Sequence, residues 1–304
     1  MTEARDSAEY RCGFVAVVGR PNVGKSTLMN RLLGEKISIV SSKPQTTRHR
    51  IMGVHTTPGV QVVYVDTPGL HQREHRAINR YLNQAARNSL ADVDCVLFVI
   101  DALKWTDEDE AVLQLLKGIQ APVVLVINKV DRAKNKNELL PFMESVVKGR
   151  DFSDVVPLSA RSGENTDTLA RLVEERMPAG PQMFPDDQIT DRSERFLAAE
   201  LVREQLMRLL GKEVPYATTV EVEAFEQTGN LRRISAVVWV ERKGQKAIVI
   251  GENGELLKRV GSAARREMER LFHCRVYLKL WVKVREGWSD DERALRSLGY
   301  DEGP

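Results

Sequence analysis

The run Gly19-Arg20-Pro21-Asn22-Val23-Gly24-Lys25-Ser26 constrains the fold of this 304-residue chain more than any other feature. It follows an apolar, β-branched stretch, Phe14 to Val18, and precedes a segment of helical spacing that begins near Lys25. A strand, a glycine-bearing turn and a helix, in that order, make a cradle for phosphate. Backbone amides converge on the anion and the helix N-terminus adds partial positive charge. Gly24 lets the amides turn inward, Lys25 offers a charge to β- and γ-phosphates, and the Ser26 hydroxyl suits Mg²⁺. Residues Gly19 to Thr27 are therefore the expected phosphate contacts.

Short β-branched runs alternate with helical patterns through the first 180 residues: Phe14 to Val18, Ile51 to His55, Val62 to Val65, Cys95 to Ile100, Val123 to Ile127 and Val155 to Leu158. That alternation predicts an α/β fold with a mostly parallel sheet covered by helices. A Thr-Thr-Pro-Gly turn lies between the second run and the third, so that pair is expected as an antiparallel hairpin at one side of the sheet.

Further motifs fall at the ends of these strands. Asp66-Thr67-Pro68-Gly69 puts a carboxylate where it can hold the water shell of Mg²⁺, with the Gly69 amide available to a γ-phosphate. Asn128-Lys129-Val130-Asp131 suits a purine reader: the Asp131 carboxylate can accept from guanine N1 and N2, whereas adenine leaves that charge unpaired. Ser159-Ala160 would add a backbone amide to guanine O6. In Lys43-Pro44-Gln45-Thr46-Thr47-Arg48, Thr47 is favoured over Thr46 to complete the Mg²⁺ shell; the other reading is that both hydroxyls are solvated. The GTP-hydrolysing reading gives Lys25, Thr47, Gly69 and Asn22 catalytic roles. Asn22 is either the ligand of a potassium ion beside the phosphates or a stabiliser of the loop. Leu70 stands where Ras-like GTPases carry a water-orienting glutamine, so slow intrinsic turnover is expected.

A proline-rich stretch, Pro178 to Thr190, reads as a linker. An amphipathic helix is expected from about Ser193 to Leu210, with Ala199, Val202, Leu206 and Leu209 on its apolar stripe and charges elsewhere. Two strands, two helices around a glycine-flanked turn and a last strand, Arg275 to Arg285, follow. Gly251-Glu252-Asn253-Gly254 resembles the GXXG loop of a KH domain, and the element order matches the type II arrangement. Residues 228–285 carry fourteen Lys or Arg against five Asp or Glu. Glu252 and Asn253 depart from the basic residue many such loops carry, which leaves Lys258, Arg259, Arg265 and Arg266 as the stronger phosphate contacts. On the last strand Val276, Leu278, Leu280, Val282 and Val284 make a core face, while Arg275, Tyr277, Lys279, Trp281, Lys283 and Arg285 share the other, which either stacks bases or, more often, covers its neighbours.

The N-terminus lacks the apolar stretch of a secretory signal, and no apolar run is long enough to span a bilayer. Cys12, Cys95 and Cys274 lack metal-ligand spacing, which fits a reducing cytoplasm.

Taken together, GRPNVGKSTLMNRLLG, SSKPQTTRHRI, DTPGLH, DVDCVLFVIDA, LLGKEVPYATTVEVEAF, QKAIVIGENGELLKRVG and VYLKLWVKV make the chain from about Gly13 to Trp288 resemble the Era family of bacterial GTPases. The resemblance implies a P-loop GTPase domain over 13–180 and a smaller α+β type II KH domain over 192–286. An extension (1–12), a linker (181–191) and a tail (287–304) complete the chain. It further implies GTP/GDP and Mg²⁺ as ligands, binding of the 3′ end of 16S rRNA during small-subunit assembly, and a monomer. Cytoplasmic residence with peripheral contact with the inner membrane belongs to the same set. The alternative is a C-terminal module that docks protein or membrane. Ser289 to Gly299, with Asp290, Asp291 and Glu292 opening a short helix-like stretch, departs from the simplest family ending after Trp288 and is expected as a solvated tail.

Overall fold

The computed structural model describes residues 10–69, 77–90, 92–133, 135–211 and 213–300. The chain forms two compact units. Among the described residues the first takes in 10–37, 50–69 and 86–191, and the second 38–49, 77–85 and 192–300.

In the first unit β1 (Arg11–Val18), β2 (Ile51–Thr57), β3 (Val60–Asp66), β4 (Cys95–Asp101), β5 (Val123–Asn128) and β6 (Asp154–Pro157) form one sheet in the order β2-β3-β1-β4-β5-β6. All neighbours are parallel except β2 and β3, which form the expected edge hairpin. Parallel strands with helices on their faces are buried on both sides, hence the unbroken apolar runs. Val96, Phe98 and Ile100 of β4 pack with Leu125 and Ile127 of β5 and with Val112 and Leu116 of α3 (Asp107–Leu116). The other helices of this unit are α1 (Lys25–Leu33), α4 (Leu139–Val147) and α5 (Thr166–Arg176).

The stretch expected as a linker is bonded along the hairpin. The Gln61 side chain in β3 accepts from the Met183 and Phe184 amides and donates to the Phe184 carbonyl, at 2.9, 2.9 and 2.8 Å. Thr190 Oγ1 donates to the Met52 carbonyl at 2.7 Å. Gln61 is fully buried, so its amide group is satisfied only by this strap and by its neighbours Thr56 and Cys12.

The second unit is built on α6 (Glu194–Leu209), β7 (Thr218–Thr228), β8 (Leu231–Val240), α7 (Lys243–Ile250), α8 (Glu255–Leu271) and β9 (Arg275–Val284). Its sheet runs β7-β8-β9, antiparallel then parallel, which is the arrangement expected from the element order. Ile234, Ala236 and Val238 of β8 face Leu201, Val202 and Leu206 of α6 and Val260, Ala264 and Met268 of α8 in one core.

Two expectations fail here. The charged side of α6 is not solvated: Glu200, Arg203 and Glu204 are buried, while Ala199 and Leu209 are only partly so. Segment 38–49 supplies the partners, with the Val40 amide donating to Glu204 at 2.9 Å and Arg203 donating to the Thr46 carbonyl. Nor is the tail solvated. Helix α9 (Glu292–Ser297) buries Ala294 and Leu295, and with Trp288 and Tyr300 these pack on Ala77 and Ile78 of α2 (Ala77–Asn88). The acidic residues do open a short helix, as read from the sequence: Asp291 caps it, accepting from the Arg293 and Ala294 amides, and Asp290 accepts from the Ala77 amide. Among the described residues no helix is long and apolar enough to cross a membrane.

Candidate nucleotide site and nucleic-acid interface

The loop between β1 and α1 is closed around Lys25. Its ammonium donates to the carbonyls of Gly19 (2.8 Å) and Arg20 (3.0 Å), so the chain curls over its own charge. Burial brings the Lys25 pKa down to about 8; the carboxylates of Asp66 and Asp109 oppose that and the Arg20 guanidinium adds to it. Arg20 is itself anchored, its Nε donating to Asp109 at 3.0 Å. Asp109 also caps α3, accepting from the Thr106 amide and hydroxyl at 3.0 and 2.8 Å. Gly24 has φ of 105°, and a β-carbon there would lie 2.3 Å from the Asn128 side-chain nitrogen. Only glycine meets both demands.

Three further loops meet this one. Ser26 Oγ donates to Asp66 at 2.8 Å, bringing the two candidate Mg²⁺ ligands of this unit together. Thr67 is bonded to the Val17 carbonyl at 2.9 Å, and a β-carbon on Gly69 would lie 2.9 Å from Pro21, so the Asp66–Gly69 turn runs against the phosphate loop. Asn128 is the junction: its side chain donates to the Val23 carbonyl (2.8 Å) and accepts from the Lys129 (2.7 Å) and Ala160 (2.9 Å) amides. Lys129 reaches the Asn22 carbonyl at 2.6 Å and Asp101 at 2.9 Å. Asp131 is exposed and accepts from buried Ser159 at 2.6 Å. Asn22 has φ of 64° and an exposed side chain.

Ser26 and Asp66 offer a hydroxyl and a carboxylate, the hard oxygen donors that suit Mg²⁺. No group of three or more His, Cys, Asp or Glu that could hold a metal occurs among the described residues. Thr47 groups with the second unit and is buried; Leu70 lies outside the described residues. Sequence reading missed Asp101, Asp109 and Arg31, whose guanidinium donates to the Ala160 and Arg161 carbonyls. The signal for Asp101 was its place as the last residue of an apolar strand.

In the second unit the loop between α7 and α8 holds Gly251 at φ 74° and ψ 176°, a conformation that side chains avoid. A β-carbon there would also sit 2.7 Å from Leu256. Asn253 and Gly254 follow with positive φ, so the loop is tight and presents the N-terminus of α8. Beside it a cavity of about 370 Å³ is lined by Gly254, Leu257, Lys258, Gly261, Ser262 and Arg265 of the loop and α8, and by Leu278 and Leu280 of β9. Lys258 and Arg265, two turns apart, lie on this groove. Glu252, Asn253, Arg259 and Arg266 are exposed but do not line it. Leu278 and Leu280, read from the sequence as core, form its apolar floor.

Comparison with known proteins agrees with this geometry. A family model described as "50S ribosome-binding GTPase" matches residues 14–129, and one described as "KH domain" matches 213–289. GTPase Era of Stenotrophomonas maltophilia R551-3 is 58% identical over 296 residues, 97% of this chain and 99% of that protein. GTPase Era of Pseudomonas aeruginosa PAO1 is 55% identical over 302 residues, 99% of each. A solved structure of Era with MgGDPNP and nucleotides 1506–1542 of 16S ribosomal RNA covers 96% of this chain, with TM-score 0.93 and 38% identity. A variant of Aquifex aeolicus Era bound to GDP·AlF4⁻ matches equally well, at TM-score 0.93 and 38% identity. With a P-loop GTPase domain, a C-terminal KH domain and relatives more than half identical along nearly its whole length, this chain belongs to the Era family of GTPases.

Proposed function

We propose that the protein is a guanine-nucleotide switch that hydrolyses GTP and binds the 3′ segment of 16S rRNA through the α7–α8 groove during assembly of the small ribosomal subunit. The observation that carries the reading is Asn128. One side chain ties the phosphate loop at Val23 to the base-reading loop at Ala160, so phosphate and purine sites are held in one frame.

In this reading residues Gly19 to Thr27 enclose the phosphates and Lys25 neutralises the β- and γ-oxygens. Asp131, oriented by Ser159, accepts from guanine, with Lys129 and the Ala160 amide beside it. Ser26 and Asp66 would hold Mg²⁺, with Thr47 as a further ligand; the ion supplies positive charge between the phosphates. Gly69 reports the γ-phosphate through its amide, with Thr67 and Pro68 beside it. The exposed Asn22 side chain is the group to which a potassium ion would bind. Thr47 lies in a segment bonded to α6 and β7, its neighbour Arg48 donating to the Thr218 carbonyl at 2.8 Å. A change of conformation in that segment is the route by which nucleotide state reaches the RNA-binding unit. The GTPase and KH domains span 13–180 and 192–286. The protein acts in the cytoplasm as a monomer, with peripheral contact with the inner membrane.

Calorimetry on the full chain with Mg²⁺ tests the nucleotide site. GDP binds and ADP does not, and Asp131→Asn lowers GDP affinity by about 2 kcal/mol or more. Equal binding of GDP and ADP refutes the assignment. Crosslinking to total RNA tests the groove: recovery of 16S 3′ segments supports it, and recovery of none refutes it.

A further inference from the structure

The second unit carries a basic, aromatic site that the groove does not account for. Strand β9 is the edge of its sheet, and its side chains alternate in direction. Leu278 and Leu280 line the groove on the helix side, while Tyr277 and Trp281 stand on the opposite face with 48% and 55% of their surface exposed. A ring that merely covers its neighbours loses most of its exposure, because burying aromatic area is the gain. These two do not.

The surroundings of Tyr277 are cationic. The Arg233 guanidinium lies 5.9 Å from the ring centroid and the Lys279 ammonium 5.8 Å. A shallow cavity of about 640 Å³ opens there, with Arg233, Arg265, Arg275 and Tyr277 among its lining residues. Its one carboxylate, Glu269, is engaged by Arg265 at 2.7 Å and by the Val276 amide at 3.2 Å. Arg265 lines both this cavity and the groove beside Gly254, so the two are contiguous.

We propose that an RNA strand leaving the groove passes Arg265 and turns over the edge of β9 into a second nucleotide subsite, where a base stacks on Tyr277 and its phosphate sits between Arg233 and Arg275. An exposed ring offers a face to any base, and arginine binds phosphate oxygens in pairs, so the subsite adds affinity with little sequence preference. Trp281, four residues along the same face, is the next stacking platform. The proposal rests on the reading of the groove as an RNA site.

The test uses the full-length protein, fluorescence anisotropy and RNAs from the 16S segment contained in the relative's complex. One is a tetramer that fills only the GXXG groove; the others are about ten nucleotides long and extend it on either side. One extended RNA binds the native protein more tightly than the tetramer. Tyr277→Ala weakens that RNA by about 5- to 150-fold, the range for one lost base stack, and leaves the tetramer unchanged. Tyr277→Phe restores the affinity. Equal binding of the extended RNA by native protein and Tyr277→Ala overturns the subsite and leaves the groove reading intact. Equal weakening of tetramer and extended RNA also overturns it, since the side chain then supports the groove. If the native protein binds neither RNA, the groove reading itself falls and the subsite with it.

Discussion

Acidification should unfold the second unit through His49. This residue is 7% exposed and lies in an aromatic nest, stacked on Tyr300 with centroids 4.6 Å apart and edge-on to Phe196 at 5.1 Å. Burial drives its pKa from 6.5 to about 3; Glu200 opposes the shift, and Arg203, Arg192 and Arg48 reinforce it. The native state thus holds the neutral imidazole while the unfolded chain takes up a proton from about pH 6.5 downward. Stability from this group is complete above pH 6.5 and is lost as pH falls toward 3. At about 1.36 kcal/mol per unit, the loss is about 2 kcal/mol at pH 5 and approaches 5 kcal/mol at pH 3. Glu200 does not blur the upper part of that window. Burial alone would raise its carboxyl, but the charge and hydrogen bonds of Arg203 outweigh that and hold it below 4.5. The assay is urea unfolding of the full chain followed by tryptophan fluorescence, since Trp239, Trp281 and Trp288 lie in this unit. Run near pH 7.5 and near pH 5, native protein should lose about 2 kcal/mol more than His49→Phe, which keeps a ring against Tyr300 and has nothing to titrate. Equal losses in the two proteins would refute the reasoning.

Other consequences are as direct. The free site's lysine, at about 8, must be protonated to bind phosphate, so GDP affinity should fall about fivefold between roughly pH 8 and 9, and Lys25→Gln should flatten the profile in equilibrium dialysis. The Arg203–Glu200 pair is 1% and 6% exposed at 2.6 Å, so Arg203→Leu alone should cost about 3–5 kcal/mol by stranding the carboxylate. The double change to leucine should cost less than the single one; an additive loss in the same unfolding assay counts against the pairing. Trp288 is fully buried beside Arg48, whose guanidinium lies 6.0 Å from its ring, so Trp288→Ala should lower stability by about 3–5 kcal/mol. A truncation before Gly287 should do at least as much, read by thermal unfolding.

The sheet and the nucleotide loops were legible because their causes are local. Strands buried on both faces must be apolar throughout, and the groups between them must bind phosphate, metal and purine at the carboxyl ends of β1, β3 and β5. The buried side of α6 was not legible, because its partners lie far away in sequence. Lys43 donates to the Met207 and Leu210 carbonyls, more than 160 residues along the chain, and so occupies the acceptors at the end of that helix. The tail was half legible: its acidic start marked a short helix, but six residues are too few to show a buried helical face, and the anchors Trp288 and Tyr300 fall outside α9. The strap over the hairpin did leave a mark. Gln61 is the one polar residue before Asp66 in β3, Val-Gln-Val-Val-Tyr-Val-Asp, and a buried amide in such a strand calls for partners.

That distinction bears on how the site works. Lys25 donates inside its own loop, to the Gly19 and Arg20 carbonyls, while Asp109 holds Arg20 from outside and Asn128 ties Val23 of the loop to Ala160. Protein contacts thus brace the loop, at the cost of holding an ammonium out of water. A pKa lowered from 10.5 to about 8 puts that cost at about 3 kcal/mol for the charged form. A triphosphate offsets it, because phosphate oxygens restore to Lys25 the counter-charge that burial removed. The same anion would gain far less from an exposed lysine, whose charge water already screens. Asp131 is placed differently, exposed and held by one bond to Ser159; in the proposed nucleotide-bound state its carboxylate would choose the base and strengthen binding together. In that state the buried end of the site would contribute affinity without choosing the base, and the open end would contribute both.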